Sequence, residues 1–174
     1  MSTLKVNTLQ NTSGNTLTFI KQVKFFTRSA PITYSSSSNT IQKVILVANI
    51  TPSSTSSKIL VLANVDGVAN KTGGGGEWEG CLARHTTAYS NDADASGWTG
   101  LRMLTGLGGW SSGNNSTGTL SADFLDSPSS TSTLYYYLLA NTRSNVYINN
   151  EFNESGAGAA SGSGTTITLM EVAG

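Results

Sequence analysis

Carboxylates fall in close pairs along the chain: Glu77 with Glu79, Asp92 with Asp94, Asp123 with Asp126, and Glu151 with Glu154. Glycoside cleavage needs two carboxyl groups flanking the sugar at a defined separation. Residues two apart on a strand share a face, so Glu77 and Glu79 could converge. In a chain this poor in charge the simpler reading is that carboxylates sit on loops and keep the protein soluble, because closeness in sequence does not supply the geometry hydrolysis requires. Cys81 and His85 are the only thiol and the only imidazole. On a strand they would share a face but stand about 13 Å apart along the backbone, beyond nucleophile–base contact. They read as a small core thiol and a surface or interface imidazole. Asp92 and Asp94, with Ser90, Asn91 and Ser96, offer the oxygen ligands calcium prefers, without the glycine and distal glutamate of an EF-hand loop. No catalytic residue, metal site or cofactor is expected.

Two tryptophans carry the case for binding. Trp98 lies in Ser96-Gly97-Trp98-Thr99-Gly100 and Trp110 in Gly108-Gly109-Trp110-Ser111-Ser112-Gly113. A tryptophan between glycines in a polar loop has little local chain to bury it. An exposed indole stacks on the apolar face of a sugar, and the nearby Asn114, Asn115, Ser111 and Ser112 can hydrogen-bond its hydroxyls. The structural alternative is that each indole folds back onto its own domain or onto the next subunit. In Tyr135-Tyr136-Tyr137 the outer two face one way and Tyr136 the other, as core or as the axis of a trimer.

The elements that must position these residues are strands. The chain has 174 residues, which is the size of one domain. Ten Lys and Arg balance ten Asp and Glu, and charged residues are 11%, against roughly 25% in an ordinary soluble domain. That removes the long-range attraction on which nucleic-acid and anionic-membrane binders depend. Ser and Thr supply 48 residues, Asn 15 and Gly 19. The start, Met1 to Val6, has one cation and no apolar run of signal-peptide type. No stretch nears the roughly 18 apolar residues of a membrane span, so no membrane insertion is expected. A β-rich, neutral chain of this style, made in a cytoplasm, fits a component of an assembled particle.

Leu4 to Leu9 alternates apolar and polar, Asn11 to Gly14 is a turn, and Thr16 to Phe19 alternates again. Further strands are expected at Val23–Arg28, Ile41–Ile50, Lys58–Val65, Trp78–Arg84, Gly100–Leu104, Thr117–Leu125, Thr133–Ala140, Asn145–Asn149 and Thr165–Val172. Gly73–Gly76, Asp92–Gly97, Gly106–Asn115 and Ser155–Gly164 are expected as loops. This spacing implies an all-β, antiparallel jelly-roll β-sandwich. Residues 1–21 fall outside its rhythm and read as a stem, with 22–174 as the knob. Two strands alone cannot bury an apolar face, so Leu4, Val6, Leu9, Leu17 and Phe19 are expected to pack against copies of themselves. Val44-Ile45-Leu46-Val47 and Ile59-Leu60-Val61-Leu62 are continuous apolar runs, which suit strands covered on both faces: core on one side, a neighbouring subunit on the other.

Three stretches resemble virion proteins of marine bacteriophages, of the kind found in phages of cyanobacteria. Ser2-Thr3-Leu4-Lys5-Val6-Asn7-Thr8-Leu9-Gln10-Asn11-Thr12-Ser13-Gly14 is similar to their N-terminal fibre motif. Ile50-Thr51-Pro52-Ser53-Ser54-Thr55-Ser56-Ser57-Lys58-Ile59-Leu60-Val61 resembles the hairpin of their globular domain. Phe124 to Tyr137 and Ile167 to Val172 look like their later strands. The resemblance implies a short β arm followed by a tumour necrosis factor-like jelly roll, assembled as a homotrimer on the exterior of the virion. It implies other virion proteins as partners of the arm, and a host surface glycan or envelope protein as partner of the knob. Three functions stay open: a receptor-binding or tail-fibre protein, a head-fibre, capsid-decoration or tail-assembly fitting, and an enzyme acting on surface polysaccharide.

Overall fold

The computed structural model describes residues 13, 19–34, 41–70, 76–112, 117–142, 146–153, 156–160 and 164–174. Within them the β-branched and aromatic runs form twelve strands, and no helix occurs among the described residues. The strands are β1 (Ile20–Arg28), β2 (Ile32–Tyr34), β3 (Ile41–Ile50), β4 (Lys58–Asn70), β5 (Gly76–His85) and β6 (Arg102–Ser112). They continue with β7 (Thr117–Asp126), β8 (Leu134–Thr142), β9 (Val146–Ile148), β10 (Asn150–Asn153), β11 (Gly156–Ala160) and β12 (Thr165–Val172).

The eight long strands pair in a nested way: β1 with β12, β3 with β8, β4 with β7, and β5 with β6, all antiparallel. The chain is therefore one long hairpin folded over on itself. Lateral pairing of β12 with β4 and of β8 with β5 splits it into two sheets, β1-β12-β4-β7 and β3-β8-β5-β6. That nesting is a jelly roll, the architecture the strand spacing implied. The short strands β2 and β9 pair with each other, and β9 pairs with Ala69 and Asn70 at the end of β4, where β12 no longer reaches, while β10 and β11 form a hairpin of their own.

Alternation explains the core. Ile59, Val61, Ala63 and Val65 of β4 and Ile167 and Leu169 of β12 point inward, against Leu82 of β5 and Leu134, Tyr136, Leu138 and Ala140 of β8. Each buried Val, Leu or Ile among them contributes about 1.5–3 kcal/mol by leaving water. The apolar run in β3 has a different cause from the one expected. A bulge between Val44 and Leu46 turns both Ile45 and Leu46 into this core. Val44 and Val47 then face outward, and residues 86–101 of the same chain cover them where a neighbouring subunit was expected.

Two glycine-rich stretches expected as loops carry strands. β6 continues to Ser112, and β11 occupies Gly156–Ala160. Backbone ladders need no side chains, and β5 offers β6 a partner from Arg84↔Arg102 out to Gly76↔Ser112. Gly80, Gly106 and Gly108 ease the register shift at Gly80/Cys81, and a second shift falls at Leu82/Ala83. At the N-terminal side β1 begins at Ile20, which sits opposite Val172, so residues 20 and 21 of the expected stem belong to the sandwich.

Candidate functional site

The segment 86–101 joins β5 to β6 and folds across the outer face of the second sheet. Its own apolar residues, Tyr89, Ala93, Ala95, Trp98 and Leu101, close over Val44, Ala83, Tyr137 and Leu139 to make a second, smaller core. Trp98 is half-buried and stacks on Tyr89, with ring centroids 3.6 Å apart and planes 15° apart. Tyr137 meets the Trp98 ring edge-on at 5.1 Å. The Tyr137 hydroxyl donates to Thr87 O at 2.7 Å and accepts from Tyr89 N at 3.0 Å. Burial pushes that hydroxyl up to about 12. Of the two arrangements open to Trp98 in the sequence, the structure has the indole folded back onto its own domain.

The same segment closes the free edge of β3. Asp92 N donates to Val44 O at 2.8 Å, Val44 N to Ala93 O at 3.0 Å, and Val47 N to Asn91 Oδ1 at 3.0 Å. Arg28 grips Asp92 with Nη2 at 3.0 and 2.9 Å from the two carboxylate oxygens, and its Nη1 donates to Ile45 O. Lys43 pairs with Asp94 at 3.3 Å. Hydrogen bonds from Ser96, outweighing burial, and the charge of Lys43 hold the Asp94 carboxyl below the usual carboxylate range. The oxygens that offered a calcium loop are thus spent on an edge clip, which keeps an exposed strand from templating another chain. No cluster of metal-ligating side chains occurs among the described residues.

His85 is buried at the root of this segment, not on the surface or at an interface as expected. Its Nδ1 accepts from Thr87 N at 2.7 Å and its Nε2 lies 2.9 Å from Thr99 O. Those partners assign the neutral tautomer with the proton on Nε2. Cys81, half-buried, has its thiol pushed up to about 12 by burial and by Glu79, which leaves it in the unreactive protonated form.

Three buried polar groups complete the framework. Asp126, on β7, forms an ion pair with Arg84 of β5 and accepts from the Tyr136 hydroxyl at 2.9 Å, bridging the two sheets. Asn149, fully buried at φ 56°, donates to Arg28 O and Ala30 O at 2.8 and 3.1 Å. Its Oδ1 accepts from the backbone N and the hydroxyl of Thr165. Glu171, buried at the end of β12, accepts from Ser53 N, Ser53 Oγ and Ser57 Oγ at 2.6–2.7 Å on Oε1, and from Gln22 Nε2 at 2.6 Å on Oε2. This pins the 51–57 turn to the sheet.

Burial disfavours the Glu171 anion, but these donors outweigh it and hold the carboxyl at about 2. A folded value below the unfolded one means the native state resists protonation. The stabilisation is complete above about pH 4.5 and is lost as the pH falls toward about 2. Glu171→Gln is expected to cost about 2 kcal/mol at pH 7, from weakened charge-assisted bonds. Denaturant unfolding of both proteins between pH 7 and pH 2.5 checks this: the gap should close with acidification, and a constant gap would refute it.

Other residues singled out in the sequence are dispersed. Trp110 stands in β6, not in a loop, opposite Trp78 in the ladder. Asn114 and Asn115 lie in the connection from β6 to β7, outside the described residues. Leu4, Val6, Leu9 and Leu17 also lie outside them, while Phe19 is described and is 66% exposed. Asn149 and Glu171 escaped the sequence reading, and Asp126 entered it only as a paired carboxylate read as sitting on a loop, where the structure buries it at the end of β7; for the two carboxylates a signal was present. Glu171 shares strand parity with Ile167 and Leu169, and Asp126 with Leu120, Ala122 and Phe124; a carboxylate on an apolar stripe marks a buried, bonded anion.

The fold places the chain among antiparallel jelly-roll β-sandwiches. No protein-family model matches it, and no characterised protein matches it in sequence. Among solved structures it is similar to a chain of the infectious bursal disease virus VP2 subviral particle, with 9% identity, TM-score 0.46, and coverage of 98% of this chain and 38% of that one. It is also similar to chains from structures of infectious bursal disease virus Gx strain (10% identity, TM-score 0.43, 98% and 38% covered) and Gt strain (8%, 0.40, 98% and 43%). The chain therefore spans 38–43% of the length of these solved chains. At such scores the fold assignment rests on the strand ladders alone.

Proposed function

We propose that the chain is a bacteriophage virion protein of the tail-fibre or receptor-binding type. In this reading it is a non-enzymatic homotrimer on the particle exterior, attached to other virion proteins through its N-terminal arm. The jelly-roll knob presents its connections to a host glycan or envelope protein. The observation that carries the reading is the use made of buried ionisable groups. Glu171, Asp126 and His85 each lock a turn or the two sheets together, which is chemistry suited to a durable scaffold. The stretches resembling marine-phage virion proteins supply the class of particle, and trimeric display multiplies weak single-site affinity.

For recognition we propose Trp110 first, with Asn114 and Asn115 in the connection that follows it. Trp98, stacked beneath Tyr89, is the second position. Antibodies to the purified chain should label intact particles, and the chain itself should compete with particle adsorption. Trp110→Ala should weaken that competition about thirtyfold, the ~2 kcal/mol of a hot-spot contact, without moving the melting temperature. A lowered melting temperature with unchanged competition would assign Trp110 to packing. Labelling without competition would favour a head-fibre or capsid-decoration fitting, and unlabelled particles would overturn the virion reading.

A further inference from the structure

Apart from Met103, the large exposed apolar side chains among the described residues are gathered on one surface. Among the described residues, Ile20, Val23, Phe25, Leu62 and Leu125 are exposed by 38–63%, and cross-strand register puts them all on the outer face of the first sheet. One row crosses four strands as Val23, Met170, Leu60 and Leu125. The next runs Phe25, Thr168, Leu62 and Asp123, and the row on the other side pairs Ile20 with Val172 and Lys58. Phe19, exposed by 66%, leads into the same end. The outer face of the second sheet, by contrast, has its own cover in residues 86–101.

We infer that this face is a self-association surface, and that its occupant is a second copy of the chain. Three features favour a copy over another partner. The first is area. At about 100 Å² apiece the six exposed side chains present on the order of 600 Å², the upper end of what monomers leave uncovered. Half-buried Leu60, Met170 and Val172 bring the face toward the roughly 800 Å² per partner of a stable interface. The second is shape. Phe25 projects beside a depression of about 290 Å³ lined by Leu62, Asn64, Ser121, Asp123, Thr166 and Thr168, so knob and hole lie on one surface. The third is charge. Lys58 and Asp123 stand in different rows of the face, both exposed and opposite in sign. One copy's cation can therefore meet another's anion about a symmetry axis. Edge-to-edge pairing is disfavoured, because edge strand β1 carries Lys21 and Lys24.

The inference rests on the homo-oligomer of the proposed function and names its surface; it does not depend on the number of copies. Sedimentation of the purified chain at tens of micromolar should show an oligomer. Val23→Asp with Leu125→Asp should convert it to an 18.1 kDa monomer that remains folded by circular dichroism. Met103→Asp, at an exposed position on the second sheet, should leave the oligomer intact. If the double variant unfolds, Phe25→Ser alone should weaken association at least tenfold. A monomeric wild type, including one whose face is shielded by its own residues 1–18, overturns the inference. So does an oligomer indifferent to these substitutions. A dimer broken by them upholds the surface and overturns the trimer.

Discussion

Asn149→Asp should destabilise the fold by about 4 kcal/mol and lower the melting temperature by on the order of 10 °C. The substitution preserves shape and exchanges one amide group for an oxygen. In the native protein that amide donates to two backbone carbonyls, Arg28 O and Ala30 O, in the turn leaving β1. An aspartate turns both contacts into oxygen facing oxygen, in a site with no accessible surface. The acceptor side survives, since Thr165 still donates to Oδ1. The loss is therefore one of donors and of an unpaired buried charge. Burial raises the carboxyl above its unfolded value near 3.9, so the native variant holds its proton more tightly than the unfolded chain. Its deficit against wild type should be smallest below about pH 4, and should grow as the pH rises from the unfolded value to the raised native one. Thermal and denaturant unfolding at pH 4 and pH 8 test this, and a deficit independent of pH would refute it. Asn149→Gly suits the left-handed φ of 56° but forfeits all the side-chain bonds, so it should be destabilised at every pH.

Arg84→Met should cost about 3–5 kcal/mol, the penalty for leaving the buried Asp126 carboxylate without its cation. Among the described residues, the Tyr136 hydroxyl would remain as its sole donor. The double variant Arg84→Met with Asp126→Leu should recover most of that loss, because two well-packed apolar groups carry no desolvation cost. A double variant as unstable as the single one would show that the pair supplies more than charge compensation. Equilibrium unfolding of the wild type, both single variants and the double variant separates these outcomes as a cycle.

The strands that alternate cleanly were legible in the sequence, because one buried face imposes a period of two. Thr165–Val172 occupies the expected residues, and Tyr135, Tyr136 and Tyr137 divide between the two sides of β8 as alternation requires. Legibility failed where tertiary partners override local composition. The glycines around Trp110 signalled a loop, yet β5 lends them a ladder. The run Val44 to Val47 signalled a covering subunit for both its outer residues. In its place a bulge and the 86–101 segment, some 40 residues downstream, hide it within one chain. Neither event leaves a local trace. The candidate recognition residues were chosen on exposure, which for Trp98 depends on Tyr89 and Tyr137 and not on its flanking glycines.

The nested pairing has a consequence for how the molecule is made. β12 lies between β1 and β4 in the first sheet, so a strand made after the other eleven is an interior strand. During synthesis β1 through β8 can emerge while the seam they must close around is still absent. Contacts so distant along the chain make for slow folding, and an incomplete first sheet shows two unpaired strand edges to the surrounding solution. Completion of the domain is thus tied to the emergence of β12, and a nascent chain stalled before Thr165 would be the aggregation-prone species.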